Sequence, residues 1–331
     1  MTAAATAPRP LLKFARLRDL ALVPAIAVLL VVGAVIDPVF LSHSNLVNVL
    51  QQVTELSLVV LAETLILIGG RFDLSLESTV GLAPALGVAL VIPAASHGIG
   101  TEWSTALAVP ICLLVGAAIG AVNGVLILRF GLSAFIVTLG MLTTVRGLQI
   151  GITGGQSLFD LPPSVSYLGT AVWLGLPLSI WICAVLFAAG IAFLGWFRHG
   201  RAIYAIGGNV DAARAAGIRT DRIMYAVFIV AGLLAALAGL LMTGRLGSIA
   251  AAQGNGMIFQ VFAAAVIGGV SMNGGKGTLF GALCGVLVLG LTTNILTLAG
   301  IDAQWFQAVN GLIILVAVII ARVTSGKAQD S

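Results

Sequence analysis

The sequence predicts an all-α, polytopic membrane protein: a bundle of about ten transmembrane helices with both termini in the cytoplasm. Of the 331 residues, 60% are hydrophobic and only 8% are charged, whereas a soluble domain carries roughly 25% charged residues. The 41 glycines point the same way, because small residues let membrane helices approach closely. No hydrophilic linker divides the chain, so we expect one membrane domain.

Ten stretches of the sequence are long and apolar enough to be membrane spans. A helix that crosses about 30 Å of hydrocarbon needs about 20 largely apolar residues. The basic segment 1–19 lacks a clear cleavage site after it, so we expect it to be a cytoplasmic tail, followed by a transmembrane domain over 20–322 and a second cytoplasmic tail over 323–331. The predicted spans are 20–36, 48–69, 77–96, 104–128, 132–150, 172–196, 223–244, 257–272, 278–299 and 303–322.

The basic residues orient this predicted bundle, because Lys and Arg accumulate in cytoplasmic loops. With a cytoplasmic N-terminus and ten crossings, 14 of the 16 basic residues lie on the cytoplasmic side, and the exceptions are Arg146 and Arg245. The net charge of +4 therefore indicates orientation in a lipid bilayer rather than nucleic-acid binding. The longest outer segments, around 94–103 and 151–170, are poor in basic residues and could receive a partner on the outer face.

The longest predicted cytoplasmic segment, 197–222, is long enough to have a structure of its own. Gly207 and Gly208 predict a turn in this segment. Asn209 is a residue that caps helices, so we expect a short helix to begin at Val210.

The same short helix is expected to end at Gly217, a typical C-terminal glycine. Asp211 suits its positively polarised first turn, and Arg214 lies near its end. Two interpretations are open: the segment binds anionic lipid headgroups, or it docks into a groove on a cytoplasmic partner.

Four strings of residues carry a family resemblance. The first is AIGGNVDAARAAGI over 205–218, and the others are FIVTLGM over 135–141, GAVNG over 120–124 and IGGVSMNGGKGT over 267–278. In this order and spacing they resemble the ribose/xylose/arabinose-type ABC sugar importer permeases, the inner-membrane components of binding-protein-dependent transport systems. The resemblance extends over about 40–325.

One string departs from that family. Its members usually carry a GGIDLSVG-type string after the second span, whereas this chain reads GGRFDLSLE over 69–77. The chain has one extra residue there, and Glu77 stands where glycine is common.

The resemblance implies a multi-pass protein of the bacterial inner membrane and a set of partners. Two permease subunits, alike or different, would form the pore, two cytoplasmic ABC ATPase subunits would bind below it, and an extracytoplasmic binding protein would deliver a sugar-like solute. ATP would be hydrolysed by the partner, since this sequence has no G-x-x-x-x-G-K-[ST] phosphate loop, and no cofactor is expected on this chain. The residues expected to couple to the ATPase are Gly207, Gly208, Asn209, Asp211, Arg214 and Gly217.

Polar residues inside the predicted spans are candidates for the solute pathway, because they are costly in lipid and usually face the bundle interior. Gln52, Glu55 and Glu63 have a spacing that predicts one helical face, and Arg146 either snorkels to the interface or pairs with a carboxylate. Hydrogen bonding between helices is the alternative for each residue, although Glu63 and Asn123 favour the pathway or its gate. The candidate pathway residues are Gln52, Glu55, Glu63, Asn123, Thr138, Gln260 and Asn294, with Thr143, Arg146 and Asn310 as further polar positions.

Other functions are less compatible with the sequence. An ABC permease for branched-chain amino acids or a nucleoside stays open, and so does a proton-coupled secondary transporter that would use Glu55 and Glu63. A membrane enzyme fits worst, since neither a catalytic cluster nor a metal-ligand spacing occurs. The cysteines are expected to be packing residues and the histidines to lie in loops or at span ends: Cys112, Cys183 and Cys284; His43, His97 and His199.

A short internal echo also exists. The string IGG occurs over 68–70 and again over 267–269, in each case at the end of a span directed toward the cytoplasm, and Gly81 and Gly281 follow at similar distances. The echo is either a parallel repeat, of the kind that many transporters carry, or a chance match.

Overall fold

The structure is a computed structural model that describes residues 22–306 together with 308, 309, 311, 312 and 315. The described chain is mostly helical, which confirms the predicted all-α class. Both predicted tails, most of the predicted span 303–322 and Asn310 lie outside the described residues.

The helices follow one another with short connections. A small hairpin of two strands, each two residues long, lies between two of the helices. The helices are α1 (Leu22–Ile36), α2 (His43–Ile68), α3 (Leu76–Ala89), α4 (Ala108–Gly124), α5 (Ala134–Thr153), α6 (Pro163–Thr170), α7 (Leu178–Trp196), α8 (Arg198–Gly208), α9 (Val210–Ala215), α10 (Thr220–Leu246), α11 (Met257–Ile267) and α12 (Leu279–Leu298). Short 3₁₀ turns lie at Pro38–Leu41, Ala94–Ser96, Thr105–Leu107 and Ala303–Trp305, and a π-helical turn, Val125–Arg129, extends α4. The strands are β1 (Val172–Trp173) and β2 (Leu176–Pro177), which pair antiparallel.

Within the described residues, six helices are long and apolar enough to cross a membrane: α2, α4 with its flanking turns, α5, α7, α10 and α12. Helices α1, α3 and α11 are apolar but shorter. The chain is therefore a multi-pass membrane protein.

Two predicted spans contain much shorter helices than expected. The stretch 77–96 overlaps α3, a helix of 14 residues that begins at Leu76, and 257–272 contains the 11 residues of α11. At 1.5 Å per residue these helices are only about 21 and 17 Å long, less than the thickness of the hydrocarbon core. The rest of each stretch is irregular backbone, which a membrane protein tolerates only where other protein surrounds it.

The predicted span 172–196 also begins later than expected. Residues 172–177 form the β1–β2 hairpin, and α7 starts at Leu178. Gly175 occupies the hairpin turn with φ +80°, a conformation that glycine adopts without strain.

Helices α2 and α10 form the centre of the bundle. Almost every residue of α2 from Val53 to Ile68 is buried, and α10 packs against α2, α3 and α4. Helix α4 approaches α10 closely where glycines face each other: a Cβ on Gly116 would clash with the carbonyl oxygen of Gly232. In lipid, helices associate through van der Waals packing rather than the hydrophobic effect, and small residues at such crossings allow that close packing.

The two IGG strings adopt the same local structure. Gly69 and Gly268 have φ values of −73° and −66°, and Gly70 and Gly269 have φ values of +75° and +78°. Each pair ends a helix, α2 in one case and α11 in the other. The echo is thus a repeated helix-terminating turn in which the second glycine takes the left-handed conformation.

Candidate functional site: the coupling segment and the buried polar network

The coupling segment (residues 197–222) contains the short helix that the sequence predicts. Asn209 has an extended backbone, and its Oδ1 accepts hydrogen bonds from the N–H groups of Asp211 (3.0 Å) and Ala212 (2.9 Å). Helix α9 begins at Val210 as expected, and Gly217 follows its end with φ +79°. The predicted N-cap and the predicted terminating glycine are both confirmed.

The predicted turn at Gly207 and Gly208 is wrong. Both glycines belong to the last turn of α8, and the chain changes direction at Asn209 instead. The reason for the glycine at 207 is close packing: a Cβ there would overlap the carbonyl oxygen of Ile68 and would lie 2.6 Å from the backbone nitrogen of Gly275.

Gly207 lies where two glycine-containing turns meet, and we call this contact the glycine junction (Gly70, Gly207, Gly274 and Gly275). The N–H of Gly275 donates to the carbonyl of Ile68 over 2.9 Å. A Cβ on Gly274 would lie 2.6 Å from the Gly207 oxygen and 2.7 Å from the Gly70 Cα. The coupling segment therefore touches, backbone to backbone, the end of α2 and the turn that leads into α12.

Arg214 holds α9 against the start of α10. Its Nη2 lies 3.1 Å from Asp221 Oδ1, and its Nε donates to Thr220 Oγ1 over 3.1 Å. Asp211 is 3.9 Å from the same guanidinium, but 89% of its side chain is exposed. Arg214 is thus a bracing residue within the segment, whereas Asp211 projects from it.

A buried polar network surrounds Asp73, which lies in the stretch that follows α2. The Glu63 and Asn123 side chains are fully buried, and both contact Asp73 in the extended stretch between α2 and α3. Asn123 Nδ2 donates to Asp73 Oδ2 (3.0 Å) and to Ser75 Oγ (2.8 Å). Glu63 Oε1 accepts from the Asp73 N–H at 3.4 Å. The structure therefore brings Glu63 and Asn123 together through a third residue.

The half-length helices α3 and α11 meet at their N-termini. Glu77 lies in the first turn of α3 and accepts a 3.0 Å hydrogen bond from the N–H of Ile258, in the first turn of α11. Since a helix N-terminus carries partial positive charge, one carboxylate stabilises both ends. Arg146 of α5 lies 3.5 Å from the same carboxylate, so this arginine pairs inside the bundle rather than snorkelling to an interface.

Two glutamines hold the irregular segment that precedes α11. Gln253 Nε2 donates to the Val80 carbonyl (3.0 Å) and to Thr243 Oγ1 (3.1 Å). Gln149 Nε2 donates to the Ala251 carbonyl over 3.2 Å. These bonds satisfy backbone groups that would otherwise be costly in a low-dielectric interior.

Glu55 forms an ion pair with Arg245, which, like Arg146, lies outside the predicted cytoplasmic segments. Arg245 Nε lies 2.6 Å from Glu55 Oε1, and Nη2 lies 2.8 Å from Oε2. This bidentate geometry is the strong form of an arginine–carboxylate contact. Both arginines that fall outside the predicted cytoplasmic segments are therefore neutralised by carboxylates of the bundle.

The remaining candidate pathway residues are scattered. Thr138 is buried and donates to the Ala134 carbonyl at 2.8 Å, and Asn294 exchanges hydrogen bonds with Asn45. Gln52 and Gln260 are exposed. Gln52, Glu55 and Glu63 lie on one continuous helix, where their spacing keeps them near one side, but Glu55 and Glu63 are buried and Gln52 is exposed.

Three residues of the site were not predicted to take part in the polar contacts of the bundle: Asp73, Ser75 and Glu77. The departing string over 69–77 contained the signal, since it places two carboxylates and a serine between apolar spans. The cysteines are buried and unbonded to each other, and among the described residues no group of three His, Cys, Asp or Glu side chains could hold a metal ion.

Comparison with known proteins decides the family. Residues 45–318 match the family described as branched-chain amino acid transport system / permease component. The chain belongs to this family. No solved structure matches the permease.

Three relatives of the permease carry import in their names. The ribose import permease protein RbsC of Escherichia coli strain K12 is 35% identical over 300 residues, which are 89% of this chain and 91% of that protein. RbsC of Bacillus subtilis strain 168 is 32% identical, over 89% of this chain and 90% of that protein. The autoinducer 2 import system permease protein LsrC of Yersinia pseudotuberculosis serotype O:1b is 33% identical, over 88% of this chain and 81% of that protein.

Proposed function

We propose that this permease is the transmembrane subunit of an ATP-driven ABC importer that carries a sugar or sugar-like solute across the bacterial inner membrane. The names of the ribose import relatives support the solute class. The observation that carries the coupling part of the proposal is the glycine junction. There the coupling segment contacts, backbone to backbone, the end of α2 and the turn that leads into α12.

The proposed topology has ten crossings and both termini in the cytoplasm, with tails over 1–19 and 323–331 and the transmembrane domain over 20–322. The distribution of charge supports it. Arg71 and Lys276 directly follow the turns of the glycine junction, so they share the face of the coupling segment. The two exceptions, Arg146 and Arg245, belong to helices α5 and α10 and pair there with Glu77 and Glu55, whereas the positive-inside rule counts basic residues in loops.

The ATPase is proposed to dock on α9, with Asp211 as an exposed contact and Gly207, Gly208, Asn209, Arg214 and Gly217 shaping the segment. Asn209 and Gly217 fix the two ends of α9, and Arg214 ties it to α10. Movement of the docked ATPase would reach α2 and α12 through Gly207. ATP binding and hydrolysis would occur on the partner, and this chain would hold no cofactor.

The second permease subunit is proposed to face the outer side of α5. Gly140, Gly147 and Gly151 of this helix border open space, and Thr143 between them is exposed. These positions recur every three to four residues, so they form one stripe of the helix. A pore between two such stripes would be lined by small and weakly polar groups, which suits an uncharged polyhydroxylated solute.

Among the candidate pathway residues, Glu63 and Asn123 fit a gate. Their bonds to Asp73 hold the extended stretch that leads into α3, so breaking them would release a half-length helix. Gln52 and Gln260 stay as exposed pathway candidates, whereas Glu55, Thr138 and Asn294 are engaged within the bundle.

The binding protein is proposed to land on the face opposite the coupling segment. The two outer segments named from the sequence contact each other through Ser96 and Asp160. The second segment also pairs with the chain after α10, through an isolated β-bridge between Leu158 and Ile249. Phe159, 70% exposed, offers an apolar anchor on this surface.

The docking proposal is tested by retention of a co-expressed ABC ATPase during purification in mild detergent. Asp211→Arg should reduce the retained ATPase at least about tenfold, because a reversed charge in a desolvated contact costs several kcal/mol. Arg214 is unsuited to this test because its loss would also release α9 from α10.

Glu102→Arg is the matched control, an exposed charge reversal on the opposite face. Equal retention by both variants would contradict docking at α9. If the wild-type permease retained no ATPase but moved solute alone in a proton gradient, the importer proposal itself would fail and a secondary transporter would replace it.

A further inference from the structure

A large groove opens between α7 and α10, with α2 as its floor. Its volume is about 1240 Å³. The walls are apolar: Leu186 and Phe193 contribute from α7, Val230 and Leu234 from α10, and Leu61 from α2. Walls of this kind exclude a polar solute and suit hydrocarbon.

One end of this groove is strongly basic. Arg198, Arg201, Arg219 and Arg222 line it there, together with His199, and all five side chains are exposed. Arg201 donates to the Trp196 carbonyl over 3.1 Å. Within the part of the chain that the structure describes, no acidic side chain lines the groove.

The neighbouring carboxylates do not neutralise this basic end. Asp211 and Asp221 both contact Arg214, and Glu63 and Asp73 are buried in their own network. Among the described residues, Arg198, Arg219 and Arg222 therefore form no ion pair. An occupant should supply negative charge at this end and apolar surface along the rest.

We propose that the groove binds a phospholipid with an anionic headgroup, whose phosphate contacts Arg198, Arg219 and Arg222 and whose acyl chains lie along α7 and α10. Basic pockets between membrane helices on the cytoplasmic side are suited to such headgroups. A second copy of this chain fits less well, because Asp211 and Asp221, the described carboxylates of its coupling segment, both lie beside the Arg214 guanidinium of their own chain.

The lipid would occupy a specific place relative to the coupling segment. Arg198 begins α8 and Arg219 precedes α10, so one headgroup would bridge the two ends of the segment while α9 stays open to the ATPase. This inference adds a ligand to the protein and does not depend on ATPase docking, so either proposal can fail alone.

Native mass spectrometry of the delipidated full-length protein tests the site with two probes, phosphatidylglycerol and phosphatidylcholine. We expect phosphatidylglycerol to bind more tightly than phosphatidylcholine. The triple variant Arg198→Gln, Arg219→Gln, Arg222→Gln should weaken phosphatidylglycerol binding on the order of 100-fold, because each basic residue contributes about fivefold.

The matched control removes three charges from the same face outside the groove: Arg71→Gln, Arg129→Gln and Lys276→Gln. It should bind phosphatidylglycerol like the wild type. Equal loss in both triple variants, or equal binding of the two lipids by the wild type, would overturn the proposal.

A second variant keeps the test valid if the charge variants fold poorly. Ala189→Trp with Ala226→Trp adds bulk at two exposed groove positions and should reduce tight phosphatidylglycerol binding while all arginines remain. Retained tight binding in this variant would place the lipid elsewhere. A cross-link between two copies through Ala189→Cys in native membranes would show a protein occupant instead and would also overturn the proposal.

Discussion

Helices α2 and α5 have the same mean hydropathy over their most apolar windows, yet 89% of that window is buried in α2 and 22% in α5. The difference lies in their neighbours. α2 packs against α7, α10, α11 and α12, whereas one stripe of α5 borders open space. Apolar content therefore says that a helix belongs in a membrane, but not whether protein, lipid or a second subunit surrounds it.

The polar residues of the two helices differ in the same way. Glu55 and Glu63 of α2 are enclosed by the protein, while Thr143 of α5 is exposed. Substitutions on α2 should thus alter folding, and matched substitutions on the outer side of α5 should leave the single chain intact. The following predictions test this contrast.

The largest effect is expected when the buried ion pair of α2 loses one member. Glu55→Ala leaves Arg245 without its partner and should lower the free energy of unfolding by about 3 kcal/mol, measured by denaturant titration in detergent. Thr143→Ala on α5 should change it by less than about 0.5 kcal/mol. If Glu55→Leu with Arg245→Leu were as unstable as Glu55→Ala alone, the loss would not come from an unpaired charge.

A smaller effect is expected from an identical substitution in both helices. Leu58 of α2 is fully buried, and Leu139 of α5 is 44% exposed. Leu58→Ala should cost about 2–3 kcal/mol because it leaves a cavity, and Leu139→Ala less than about 1 kcal/mol. The same unfolding titration compares them, and equal costs would mean that α5 is covered within the single chain.

The smallest effect should differ in sign between a glycine that packs against α2 and a glycine on the outer side of α5. Gly290 of α12 packs against Val53 of α2, where an added Cβ would clash with the Val53 Cγ1. Gly290→Ala should therefore destabilise the chain by about 1 kcal/mol. Gly147→Ala points into open space and should stabilise α5 by up to about 1 kcal/mol. Thermal unfolding of the two variants gives the sign, and destabilisation by Gly147→Ala would argue for a close neighbour at α5.

Local signals allowed part of the structure to be predicted. The Asn209 cap, the start of α9 and the terminating Gly217 depend on neighbouring residues, and all three are confirmed. The position of Gly207 inside α8 could not be predicted, because it reflects contact with Gly70 and Gly274, which are far away in the sequence.

The half-length helices and the ion pairs could not be predicted either, because they too depend on residues that are far apart in the sequence. An apolar stretch such as 257–272 has the composition of a full span, whereas the helix in it ends at Ile267 and its first turn is held by the distant Glu77. Likewise, Glu55 in an ion pair and a glutamate lining a pore look identical in a sequence. The partner, Arg245, lies 190 residues away.

Glu77 has an implication for the history of this chain. It stands where glycine is common in the family that the string over 69–77 resembles, and it supplies the counter-charge for Arg146. A descendant that exchanged Glu77 for glycine would leave the Arg146 guanidinium without its carboxylate. One that lost Arg146 first would leave a buried carboxylate with only the two helix N-termini to compensate its charge. The two charges are therefore expected to be inherited as a unit, so that their joint presence marks a lineage within the family.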